Sequence, residues 1–91
     1  MADNKINLLF IINGQDYSVD ANVRAPLTEA VVRALAESGN TGRDPAEWEV
    51  RDVNGVLLEK RRTPRELDLH DNSRLFLSLR VGAGGIGQRR S

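Results

Sequence analysis

Two short β-prone runs, Lys5 to Ile12 and Gln15 to Ala21, flank Asn13-Gly14, the dipeptide best suited to a two-residue type I′ hairpin turn. Pairing across that turn sets Ile12 opposite Gln15, Phe10 opposite Tyr17, Leu8 opposite Val19 and Ile6 opposite Ala21, and directly opposed residues share a face. That face is the predicted core. Leu9 and Ile11 fall on the other face beside Asp16 and Ser18, so the first strand is apolar on both sides and is expected to be central in its sheet.

Farther along, Leu27, Ala30, Val31, Ala34 and Leu35 recur at helical spacing behind Pro26, a residue tolerated at the first helical position. With Gly39 as a left-handed C-cap, the predicted helix runs from about Pro26 to Ser38; Ala25 is a weak N-cap. A loop containing Gly42 and Asp44-Pro45 leads to Trp48-Glu49-Val50-Arg51, whose alternation predicts a strand with Trp48 and Val50 inward. Asn54-Gly55 turns the chain into a very short strand over Val56 to Leu58. Thr63-Pro64-Arg65-Glu66 has the form of a capped helical turn, with Leu67 and Leu69 covering the core edge. From Ser73 to Val81 the alternation is clean, with Leu75, Leu77 and Leu79 on one face and Phe76, Ser78 and Arg80 on the other. The fold class is therefore α+β, a mixed four- to five-stranded sheet wrapped around one α-helix. The tight hairpin supplies only one neighbour of the first strand, and a right-handed crossover through the helix would bring Ser73 to Val81 alongside it in parallel.

Composition narrows the function. The 91 residues fit one domain with a modest core, which disfavours an elaborate internal active site. Acidic and basic residues balance at 13 each, unlike the basic footprint of phosphate-backbone binding, so nucleic acid is not an expected partner. Cysteine is absent, which removes disulfides, thiolate nucleophiles and Cys-type zinc sites. Leu8 to Ile12 is too short to span a bilayer, no membrane partner is expected, and the protein reads as cytoplasmic. Only Lys5 and Lys60 are lysines, a skew consistent with selection against self-modification or with genomic base composition. His70 has Asp68 and Asp71 nearby but too few ligands for a metal site, and reads as a solvated loop histidine. Glu59-Lys60-Arg61-Arg62 reads as a solvated turn. With no catalytic arrangement supported, the chain is not expected to be an enzyme or to need a cofactor.

The order of elements and the stretch Asp71-Asn72-Ser73-Arg74-Leu75-Phe76-Leu77-Ser78-Leu79-Arg80-Val81, followed by Gly82-Ala83-Gly84-Gly85, resemble ubiquitin and its β-grasp relatives from Lys5 to Gly85. The likeness is to the family's final strand and its Leu-Arg-Leu-Arg-Gly-Gly ending. Gly42-Arg43-Asp44-Pro45 falls where the family has a proline-containing loop, and Thr63 to Leu67 where it has a helical turn. Among such proteins, the likeness is to divergent bacterial ubiquitin-like proteins encoded beside activating and conjugating enzymes. The resemblance divides the chain into a β-grasp domain over 1–81 and a C-terminal tail over 82–91.

What the resemblance implies is a protein modifier. An activating enzyme, using ATP, would adenylate the terminal carboxylate, a conjugating enzyme would carry it as a thioester or similar ester, and a target protein's amine would receive it. An arm of this kind must enter another protein's active site, which calls for an extended backbone with little side-chain bulk. Gly82, Ala83, Gly84 and Gly85 meet that need, with Gly85 as acyl donor and Gly84 letting the enzyme's backbone approach closely. Ile86 to Ser91 then resembles a precursor extension, cut by a processing peptidase between Gly85 and Ile86. Arg80 matches the arginine preceding ubiquitin's tail, which places activating-enzyme recognition at Arg80, Val81 and Gly82; a solvating edge arginine is the plain alternative. The tail lacks ubiquitin's second arginine, which points to a dedicated activating enzyme.

Ubiquitin binds readers through an apolar patch on the outer sheet face, and here the nearby positions include Arg51, Asp52 and Ser78. Leu9, Ile11 and Phe76 are expected to gather on that face instead and to form the partner surface, unless the register is shifted by one and they belong to the core. Two further functions remain open at this level: a sulfur carrier whose terminal glycine becomes a thiocarboxylate, and an interaction module that is never conjugated.

Overall fold

Asn13 and Gly14 both take positive φ, 53° and 81°, as a type I′ turn requires. The turn locks β1 (Lys5–Ile12) against β2 (Gln15–Asn22) with Ile12 opposite Gln15, Phe10 opposite Tyr17, Leu8 opposite Val19 and Ile6 opposite Ala21. This is the register read from the sequence. The computed structural model describes residues 4–80. Within it the strand order is β2-β1-β5-β3-β4, with β3 at Trp48–Arg51, β4 at Leu57–Leu58 and β5 at Ser73–Leu79. β5 lies parallel to β1 and antiparallel to β3, so the predicted crossover pairing is present and β1 is an interior strand.

Helix α1 covers Leu27–Glu37 and buries the whole predicted stripe of Leu27, Ala30, Val31, Ala34 and Leu35. It is one residue shorter at each end than expected. Pro26, with ψ near 142°, is the N-cap rather than the first helical residue and offers no side-chain acceptor. Main-chain carbonyls from a distant segment take that role: Leu27 N–H donates to the Arg62 carbonyl at 2.9 Å and Thr28 N–H to the Lys60 carbonyl at 3.0 Å. At the other end, Asn40 N–H donates to the Leu35 carbonyl and Gly39 N–H to the Ala36 carbonyl. With Gly39 at φ 79°, this is a Schellman closure.

Between α1 and β3, Pro45–Glu47 forms a single 3-10 turn where a loop was expected. The Asp44 carboxylate caps it by accepting from Ala46 N–H at 2.9 Å. β4 is shorter than predicted because Val56 closes a turn: its N–H donates to Asp52 Oδ1 and its carbonyl accepts from Asp52 N–H. Thr63 and Glu66 form the predicted reciprocal cap, each main-chain N–H reaching the other's side chain at 3.1 Å. No helix develops beyond it, and Asp68 enters the left-handed region at φ 58°.

The core lies between α1 and one face of the sheet. Leu8, Phe10, Ile12, Val19, Ala21, Trp48, Val50, Leu75 and Leu77 supply the sheet side, with Leu67 and Leu69 packed at its edge. Leu79 continues the inward alternation of Leu75 and Leu77 but stays 39% exposed; it lines a cleft with Gly39 and Asn40 near the end of the helix. Among the described residues, no helix is long and apolar enough to cross a membrane.

Candidate functional site

Strand pairing assembles the outer face of the sheet in rows. Ile11 lies opposite Asp16 on one side and Phe76 on the other, Phe76 lies opposite Arg51, and Arg51 lies opposite Leu57. Opposed residues share a face, so Asp16, Ile11, Phe76, Arg51 and Leu57 run across the sheet in one line. A second row sets Leu9 between Ser18 and Arg74. Leu9, Ile11 and Phe76 are therefore together on the outer face, and the one-residue slip that would have placed them in the core does not occur. Leu9 and Ile11 are half-buried, whereas Phe76 is 41% exposed.

Leu57, 55% exposed, extends this apolar line beyond what the sequence reading identified. Its neighbours Val53 and Val56 are also exposed, on a turn held by Asp52 Oδ1, which accepts from both Asn54 N–H and Val56 N–H. Arg51 pairs with Glu49 at 3.0 Å along the same strand. The face thus combines an apolar ridge with the arginines at 51 and 74. His70 sits elsewhere on an exposed loop, its ring 3.9 Å from Asp68.

Arg80 follows β5 directly and is exposed. Its N–H donates to the Glu47 carbonyl at 2.7 Å, tying the end of the described chain to the 3-10 turn. It lines an open cleft of about 530 Å³ together with Thr28, Pro45, Trp48, Leu58 and Lys60. In the charge run, Glu59, Arg61 and Arg62 are exposed as a solvated turn requires, but Lys60 departs from that expectation. Lys60 is half-buried, and its ammonium donates to the carbonyls of Pro45, at 2.9 Å, and Trp48. Burial and then the nearby Arg80 charge push the Lys60 pKa below its usual value, while carbonyl oxygens around an ammonium favour its charged form. Glu59 and Arg61, in contrast, pair in solvent at 2.8 Å. Trp48 is core, as its alternation with Val50 predicts; its indole N–H is buried without a hydrogen-bond partner among the described residues. The remaining predicted site residues, Val81, Gly82, Gly84, Gly85 and Ile86, lie outside the described residues.

The family described as "Protein of Unknown function (DUF2604)" matches residues 1–85. The chain belongs to this family. It is similar to the uncharacterized protein y4jI of Sinorhizobium fredii, 32% identical over 81 residues, which make up 89% of this chain and 62% of that protein. The chain thus spans less than two thirds of that relative's length. Among solved structures it is similar to a de novo design based on ubiquitin, with a TM-score of 0.75 over 93% of this chain and 100% of the other at 21% identity. At that identity the likeness establishes the fold alone, and the fold is the ubiquitin-like β-grasp.

Proposed function

We propose that this member of the DUF2604 family is a protein modifier, cut after Gly85 and joined to targets through the carboxylate exposed there. The carrying observation is the coupling of fold and sequence at the C-terminal end. A β-grasp sheet delivers its interior strand β5 to Arg80, and Gly82-Ala83-Gly84-Gly85 follows after the single residue Val81. The family match supports the cleavage point because it too ends at residue 85, ahead of Ile86 to Ser91.

In this reading the chain is the substrate of enzymes rather than an enzyme. The activating enzyme's ATP is attacked at its α-phosphate by the Gly85 carboxylate, and pyrophosphate leaves. A nucleophile on the enzymes displaces AMP to form an ester or thioester, from which the amine of a target protein takes the acyl group. Glycine at the acyl carbon's own residue presents no Cβ to the incoming nucleophile. Arg80, with Val81 and Gly82, is the segment the activating enzyme grips, and Leu9, Ile11 and Phe76 form the surface that enzymes or readers contact.

Mass spectrometry of proteins isolated from native cells with an N-terminally tagged chain tests this directly. A branched peptide carrying Gly84-Gly85 on a target amine is the expected product. A terminal thiocarboxylate would replace the reading with sulfur transfer, and complexes holding only the chain with Ile86 to Ser91 attached would replace it with a non-conjugated interaction module.

A further inference from the structure

The row Asp16, Ile11, Phe76, Arg51 crosses the neighbouring strands β2, β1, β5 and β3 in one line on the outer face. Its order is acid, apolar, apolar, base. Neighbouring strands lie about 4.8 Å apart, so Asp16 and Arg51 are each about 7 Å from the midpoint between Ile11 and Phe76. Arg51 pairs with Glu49, whereas Asp16 has no ion pair among the described residues. A row in this order is the complement of its own reversal.

Two copies of one sheet packed face to face are related by a two-fold axis lying between them. Charge selects the axis. Directed along the row, it would set Asp16 against Asp16 and Arg51 against Arg51 of the second copy. Directed along the strands through the midpoint, it reverses the row and sets Asp16 against Arg51 and Ile11 against Phe76, each contact occurring twice. Moving that axis onto Ile11 or onto Phe76 would set Asp16 against Phe76 or Arg51 against Ile11, a charge against an apolar side chain. In the next row the selected axis sets Leu9 against Arg74, whose aliphatic stem can cover apolar surface. Face-packed sheets cross at about 30°, which displaces the row ends by about 4 Å, within the reach of a guanidinium. With five N–H donors, Arg51 can hold Glu49 and meet Asp16 together.

We propose that a second copy of this chain docks on the outer face of the sheet, in a two-fold pair with Ile11 and Phe76 at its centre and an Asp16–Arg51 contact at each end. The matched area is roughly 400 Å² per copy, below that of a stable interface, so the pair is weak and forms at high concentration. Self-pairing covers Leu9, Ile11 and Phe76, and so excludes any other partner from that surface. The inference does not rest on the modifier reading.

Sedimentation equilibrium of the full chain tests it. From about 20 μM to about 2 mM, the average mass is expected to rise from that of one chain toward that of two, with a dissociation constant of about 0.1–1 mM. Asp16→Arg and Arg51→Asp each set like charges at both ends and are expected to weaken pairing at least about tenfold. An equimolar mixture of the two variants regains both contacts and is expected to pair within about threefold of the unaltered chain. Circular dichroism checks that each variant folds. Should Arg51→Asp lose its fold beside Glu49, Arg51→Gln takes its place, and its mixture with Asp16→Arg is expected to pair more tightly than Asp16→Arg alone. A chain that stays monomeric throughout this range overturns the proposal, as does a pair indifferent to the charge reversals or a mixture no stronger than its components. The search for branched peptides in cells decides the modifier reading separately and leaves this measurement untouched.

Discussion

Gly14 and Gly42 separate the two reasons for which a residue lacks a side chain. A Cβ at either position would meet nothing within 4 Å, but Gly14 sits at φ 81° and Gly42 does not occupy the left-handed region. Gly14→Ala is therefore expected to cost about 1–2 kcal/mol through backbone conformation alone. Gly42→Ala is expected to be neutral or to stabilise by up to about 1 kcal/mol, because it narrows the unfolded ensemble without straining the fold. Urea titrations followed by Trp48 fluorescence measure both. Equal losses at the two sites would mean that the Asn13-Gly14 turn does not hold the hairpin register.

At the scale of the element, β5 divides its work between neighbouring residues. Leu75 is fully buried, whereas Phe76 is 41% exposed opposite Ile11 and Arg51. Leu75→Ala is expected to cost about 2–5 kcal/mol. Phe76→Asp is expected to cost about 1 kcal/mol or less, the range of a surface strand substitution, while weakening capture by the proposed activating enzyme or readers. Paired urea unfolding curves and pull-downs separate these effects; a Phe76→Asp chain that fails to fold would place Phe76 in the core.

The elements legible in advance were those whose signal lies in residue type at fixed spacing. Asn13-Gly14 demands positive φ, and once that turn is set every cross-strand pair of β1 and β2 follows. The α1 stripe and the β5 alternation are equally direct, and together they placed Leu9, Ile11 and Phe76 on one face. The two-residue β4 is too short to show a period, so Leu57 was not recognised as part of that face. Asp44-Pro45 could have announced the 3-10 turn, since an aspartate followed by proline is a capped start. Lys60 was invisible for a different reason. Its acceptors are main-chain carbonyls 15 and 12 residues away, and a carbonyl belongs to every residue, so no pattern of side chains marks them. The start of α1 was obscured in the same way, because its N–H groups are met by the carbonyls of Lys60 and Arg62 instead of by a capping side chain.

For the molecule as a whole, a modifier's arm has to be dispensable to the fold that carries it. The buried apolar residues of the described chain extend from Leu8 to Leu77, and the last strand pair closes at Trp48 opposite Leu79. Among the described residues, that core is assembled ahead of Arg80. A chain ending at Gly85 is thus expected to melt within about 2 °C of the full-length chain, a difference of less than 1 kcal/mol for a domain of this size. A chain ending at Arg74 loses Leu75 and Leu77 and is expected not to fold. Thermal melts read by Trp48 fluorescence, the only tryptophan in the chain, decide between two physical pictures. Coincident melts would leave residues 82–85 at the disposal of the proposed activating enzyme. A substantial fall on removing Ile86 to Ser91 would mean that these residues contribute to the domain's stability. The proposed cleavage after Gly85 would then weaken the domain, which counts against the modifier reading.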